Sequence, residues 1–134
     1  MAHLFDTDIL IHLRDGEPTV WEWVHELGPP VSISIITRVE LENGVHADAK
    51  WAGTRRAALD KILSEISVID FTDIELLHYC GILEAVGFTK SKINDRMIAA
   101  TALAHDLPLV TMNGRDFRDV PGLKLLEWET PETA

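Results

Sequence analysis

The chain has 134 residues, of which 46% are hydrophobic and 25% charged, with a formal net charge of −10. That length and balance suit one globular domain over residues 1–134 with a single sizeable core, and no apolar run approaches the ~18 residues of a membrane helix. The acidic balance excludes a simple electrostatic grip on nucleic acid, since phosphate contacts need Lys or Arg, and the single Cys80 excludes an internal disulfide.

Read in order, the chain opens on a short apolar strand, His3-Leu4-Phe5, that stops on Asp6. Thr7 and Asp8 then start a helix through Ile9, Leu10, Ile11 and Leu13. Asp8 can cap that helix, which would leave Asp6 free to point elsewhere. The N-terminus carries no basic region before this motif, so no signal peptide is expected and the chain reads as cytoplasmic. Asp15-Gly16-Glu17-Pro18 is a break, with Pro18 suited to the first turn of a second helix ending near Leu27. Val31-Ser32-Ile33-Ser34 alternates as a strand. A third helix follows from about Ile36 to Ala47, where Thr37 and Glu40 have the spacing of a capping box. Gly44 lies one turn beyond Glu40, at a cost of about 1 kcal/mol relative to alanine, which implies that something packs closely there.

A basic helix from about Trp51 to Glu65 holds Arg55, Arg56 and Lys61, and is followed by a strand over Val68-Ile69-Asp70-Phe71. The basic residues read first as a solvated helix face. The next helix, capped by Thr72 or Asp73, runs to about Val86, and Cys80 within it is expected in the core. Lys90-Ser91-Lys92 connects to a helix over 94–104 that is rich in small residues, with Asp95 in its first turn. Leu107-Pro108-Leu109-Val110-Thr111 is a strand ending in the polar loop Met112-Asn113-Gly114-Arg115-Asp116-Phe117. A last strand at 123–126 precedes an acidic tail expected to fray from about residue 127. The alternation of strands and helices predicts a three-layer α/β/α sandwich with a mainly parallel sheet of four to five strands.

Asp6, Glu40, Asp95 and Asp116 each fall near a strand's carboxyl end or a helix start, positions that meet at one edge of such a sheet. Each alone is explained as a cap or a first-turn acid. Together they would form an oxygen-rich pocket suited to Mg²⁺ or Mn²⁺, able to bind a phosphodiester and activate water. Carboxylates crowded in this way raise one another's pKa unless a cation lies among them.

Four stretches, Phe5–Ile11, Thr37–Val45, Asp95–Ala102 and Val110–Phe117, resemble in order and separation the signature blocks of PIN-domain nucleases, most of all the VapC-type toxins of toxin–antitoxin pairs. The resemblance implies a PIN-like fold and an endoribonuclease dependent on Mg²⁺ or Mn²⁺ that cuts tRNA or another structured RNA. It also implies a homodimer and a cognate VapB-like antitoxin that blocks the acidic groove. Asp6, Glu40 and Asp95 match the family's constant acids, and Asp116 is taken as the fourth, with Asn113 as a polar helper. Thr7 and Thr111 would contact the metal's water shell or a phosphate, or serve as strand-end caps. Arg55 and Arg56 are the candidates for RNA contact, offsetting the acidic net charge.

Two other readings stand beside this one. Asp6-Thr7-Asp8 resembles the Asp-x-Asp loop of haloacid-dehalogenase-type phosphatases, although Leu10 stands where that loop wants Thr or Val. A non-catalytic α/β partner-binding domain would use the same acids only as helix caps.

Overall fold

The structure, a computed structural model, describes residues 2–131. Thirteen elements follow in order. The strands are β1 (His3–Phe5), β2 (Val31–Ser34), β3 (Ser67–Ile69), β4 (Leu109–Thr111) and β5 (Leu125–Glu127). The helices are α1 (Thr7–Arg14), α2 (Pro18–Leu27), α3 (Ile35–His46), α4 (Ala52–Leu63), α5 (Asp73–Val86) and α6 (Ile93–Ala104), with 3-10 turns at Lys90–Lys92 and Gly114–Asp116.

All five strands pair in parallel in the order β3-β2-β1-β4-β5. Register follows from the apolar alternation. Leu4 and Leu109 are partners, as are Phe5 and Val110. Leu4 and Leu109 turn into one core with α6 and Ile82, whereas Phe5 and Val110 turn into the other with α1, α2 and α4. Both faces of the sheet are therefore covered, and the three-layer α/β/α sandwich is as expected.

Sequence order reverses between β1 and β4, so a crevice opens at their carboxyl ends. The smallness of Ala99, Ala100 and Ala102 lets α6 lie close on the sheet, and these residues are fully buried. Among the described residues no helix is long and apolar enough to cross a membrane.

Three expectations change. Cys80 is exposed rather than in the core, because α5 buries only a narrow stripe, with Glu75 and Ile82, and turns Ile74, Leu76 and Leu77 outward. The capping box lies on α5, between Thr72 and Glu75, and not at Thr37 and Glu40, because α3 begins earlier and is capped by Ser34. The tail does not fray at 127: Glu127 is still paired in β5, and Trp128 donates its amide to Thr111 O and stacks edgewise on Phe5 and Trp23. The last three residues lie outside the described chain.

Candidate active site

Asp6 follows β1 directly and is itself the N-cap of α1. Its Oδ1 accepts from the Thr7 amide at 2.8 Å and its Oδ2 from the Thr111 hydroxyl at 2.7 Å. The cap expected at Asp8 is thus supplied by Asp6, which takes the Thr111 hydroxyl with its other oxygen. Asp8 lies inside the first turn, where it accepts from the Met112 amide at 3.1 Å and fastens α1 to the end of β4. Its other oxygen is buried without a hydrogen-bond partner. Asp8 was not among the residues expected to serve the site, and the Asp-x-Asp spacing was the available signal.

Glu40 projects from α3 and accepts from the Thr7 hydroxyl at 2.7 Å. With its one proton given to Glu40, Thr7 can only accept from the Thr37 hydroxyl, 3.1 Å away. Thr111 donates to Asp6 and accepts from the Asn113 amide at 2.9 Å. Both threonines therefore orient carboxylates. Asn113 acts similarly, its amide nitrogen lying 2.6 Å from Asp116 Oδ2.

Asp95 sits in the first turn of α6 and Asp116 in the turn after β4. Burial, then Asp116 and Glu40, push the Asp95 carboxyl up to about 6, against Arg96 and Lys92. Burial first and then Asp8 raise Asp6 to about 7, with Asp95 adding to the rise and Thr111 and Thr7 opposing it. Burial likewise raises Asp8. The electrostatic coupling thus links Asp6, Glu40, Asp95 and Asp116 in one field.

Next to Asp95, the Arg96 side chain is only 3% exposed and makes a bidentate pair with Asp119, both contacts at 2.8 Å. Its Nη1 also reaches the Asp116 carbonyl at 3.4 Å. This pair ties the loop carrying Asp116 to the helix carrying Asp95.

Among the described residues, no group of three His, Cys, Asp or Glu side chains is already arranged as a metal cage. The donor set still fits a hard divalent cation. It is all oxygen, and burial together with neighbouring carboxylates has raised Asp6 and Asp95 within it.

The basic residues divide. Arg56 pairs with Glu42 and Asp60, at 2.5 Å and 2.7 Å. Arg55 donates to the Gly44 carbonyl at 2.7 Å.

Three comparisons bear on this arrangement. The family model described as PIN domain matches residues 4–123. Ribonuclease VapC2 of Rickettsia felis is 31% identical over 96% of this chain and 99% of its own length. The solved VapBC2 structure from the same organism, bound to a DNA fragment from the promoter, superposes with a TM-score of 0.86 at 29% identity, covering 96% of this chain and all of the other. VapBC-1 from nontypeable Haemophilus influenzae gives 0.77 at 28% identity over 96% and 98%.

Proposed function

Because this chain belongs to the PIN-domain family, we propose that it is a metal-dependent endoribonuclease toxin acting on tRNA or another structured RNA. The observation that carries the reading is the set of four acids, Asp6, Glu40, Asp95 and Asp116, held at the switch point of a parallel sheet with two of them raised toward neutrality. Asp6 and Asp95 would hold Mg²⁺ or Mn²⁺, with Glu40 and Asp116 completing the shell. When bound, the ion supplies charge neutralisation for the phosphodiester and acidifies water to a nucleophile. Thr7, Thr111 and Asn113 aim the carboxylates. Arg96 and Asp119 keep Asp116 opposite Asp95.

The chain works as one nuclease unit in the cytoplasm, held inactive by a VapB-like antitoxin. Support for that partner is the likeness to the VapBC complexes at 28% and 29% identity. It forms a homodimer, for which Ile74 and Leu77, exposed three residues apart on α5, are a candidate surface.

The test is cleavage of a total-tRNA pool by the purified chain with Mg²⁺ or Mn²⁺ against EDTA, alongside Asp6→Asn and Asp95→Asn. Cutting that needs metal and is lost in both variants is the expected result. Cutting that survives EDTA and both substitutions would sink the mechanism.

A further inference from the structure

A cavity of about 330 Å³ lies where the end of α1 meets the start of α4, lined by Arg14, Asp15, Trp51, Thr54 and Arg55. Its chemistry contrasts with the rest of the acidic chain. The Arg14 side chain is only 6% exposed and is held on one side by Asp15, at 3.0 and 3.3 Å. Its Nη1 lies so near Gly44 that a Cβ there would stand 2.8 Å away. Arg55 is fixed by the Gly44 carbonyl and, among the described residues, meets no carboxylate. Trp51 is 47% exposed, with the Lys50 ammonium 5.3 Å from its ring centroid. Trp51 is also the N-cap residue of α4, and it gives the first turn no side-chain hydrogen bond, which leaves amides open to an anion.

The cavity is connected to the acids through two helices. Thr7, at the start of α1, touches Glu40 midway along α3, and Arg14 and Gly44 touch further along the same pair. At 1.5 Å per residue the offset is about 6 Å along α3 and about 10 Å along α1. Bases in a stacked strand rise ~3.4 Å, so the offset is a few nucleotides.

We propose that this cavity is a nucleotide subsite for the RNA strand, in which Trp51 stacks a base while Arg14 and Arg55 hold the adjoining phosphate. The assignment rests on the nuclease reading above. A planar ring beside fixed guanidinium groups is the combination that grips single strands without reading sequence. Two cations against one paired acid on its lining favour an anion over a basic peptide.

The test uses the full chain in an Asp95→Asn background, which keeps the probe intact, and reads the anisotropy of a fluorescein-labelled single-stranded RNA. Trp51→Ala is expected to weaken binding roughly tenfold at unchanged thermal stability, with Trp51→Phe restoring most of it. Arg55→Gln should reduce the slope of log affinity against log salt by about one. With Asp95 intact, both substitutions should raise KM for the tRNA pool and leave kcat in place. If native chain cuts tRNA with metal while Trp51→Ala and Arg55→Gln leave affinity, slope and KM unchanged, the subsite is overturned and the nuclease reading stands. If the native chain cuts neither tRNA nor any other structured RNA with metal but the variants lose RNA affinity, the cavity stands as an RNA-binding site and the nuclease reading falls. Variants that keep RNA but lose an Arg-rich peptide would overturn the proposal in favour of a protein partner.

Discussion

Asp6 shows how one side chain can be structural and chemical at once. It caps α1 and takes the Thr111 hydroxyl, and burial beside Asp8 raises its carboxyl from 3.8 to about 7. In metal-free protein the folded state therefore keeps a proton that the unfolded chain releases from about pH 4 upward. Stability falls as pH rises through that window and levels off above about 7. Asp6→Asn carries no charge to bury, so in EDTA its melting temperature should exceed that of the native chain increasingly toward neutral pH. Added Mn²⁺ should close the gap by stabilising only the native chain, as scanning calorimetry would show. Asp119→Ala should destabilise by about 2–3 kcal/mol in urea titration, because it leaves the buried Arg96 guanidinium without its carboxylate. At this scale Asp6, Asp95 and Asp116 were legible as acids at strand and helix ends, whereas Glu40 stands midway along α3 and was marked only by its spacing from Thr37 and Gly44. The Asp6 and Asp8 roles were not, because either can cap α1 and only the position of β4 decides between them.

The helices are most legible where their ends carry local chemistry. Pro18 at the start of α2 and Val86 at the end of α5 stand where the sequence places them. The start of α3 was displaced because Ser34 belongs to β2 and caps the helix as well, a double duty that periodicity does not register. Gly44 was legible as a close approach, and Arg14 is what approaches. Gly44→Ala removes a helix-interior glycine, a gain of up to about 1 kcal/mol, but pushes the Arg14 guanidinium out of place. Thermal stability should be unchanged or slightly raised while affinity for single-stranded RNA falls. A large drop in melting temperature would mean that Arg14 cannot yield.

For the molecule as a whole, the net charge of −10 makes divalent cations an expected source of added stability, whereas a second copy carries the same charge and has to be held by apolar contact. The face of α5 carrying Leu77, 70% exposed, resembles a surface awaiting a partner. Leu77→Lys should convert a dimer to a monomer in sedimentation at unchanged fold by circular dichroism. The pairing of β1 with β4 was not legible, since nothing local in either strand names the other; the alternation of elements gave only the layers. That pairing has a bearing on when the chain becomes dangerous to the cell that makes it. Asp6 leaves the ribosome early, yet its hydroxyl partner Thr111 lies 105 positions later, and Trp128, which braces Phe5, later still. A nascent chain carries the first acid without the strand that aims it. On the nuclease reading proposed above, the acid site is complete only when synthesis has nearly finished, so the state able to cut is the last one the chain reaches.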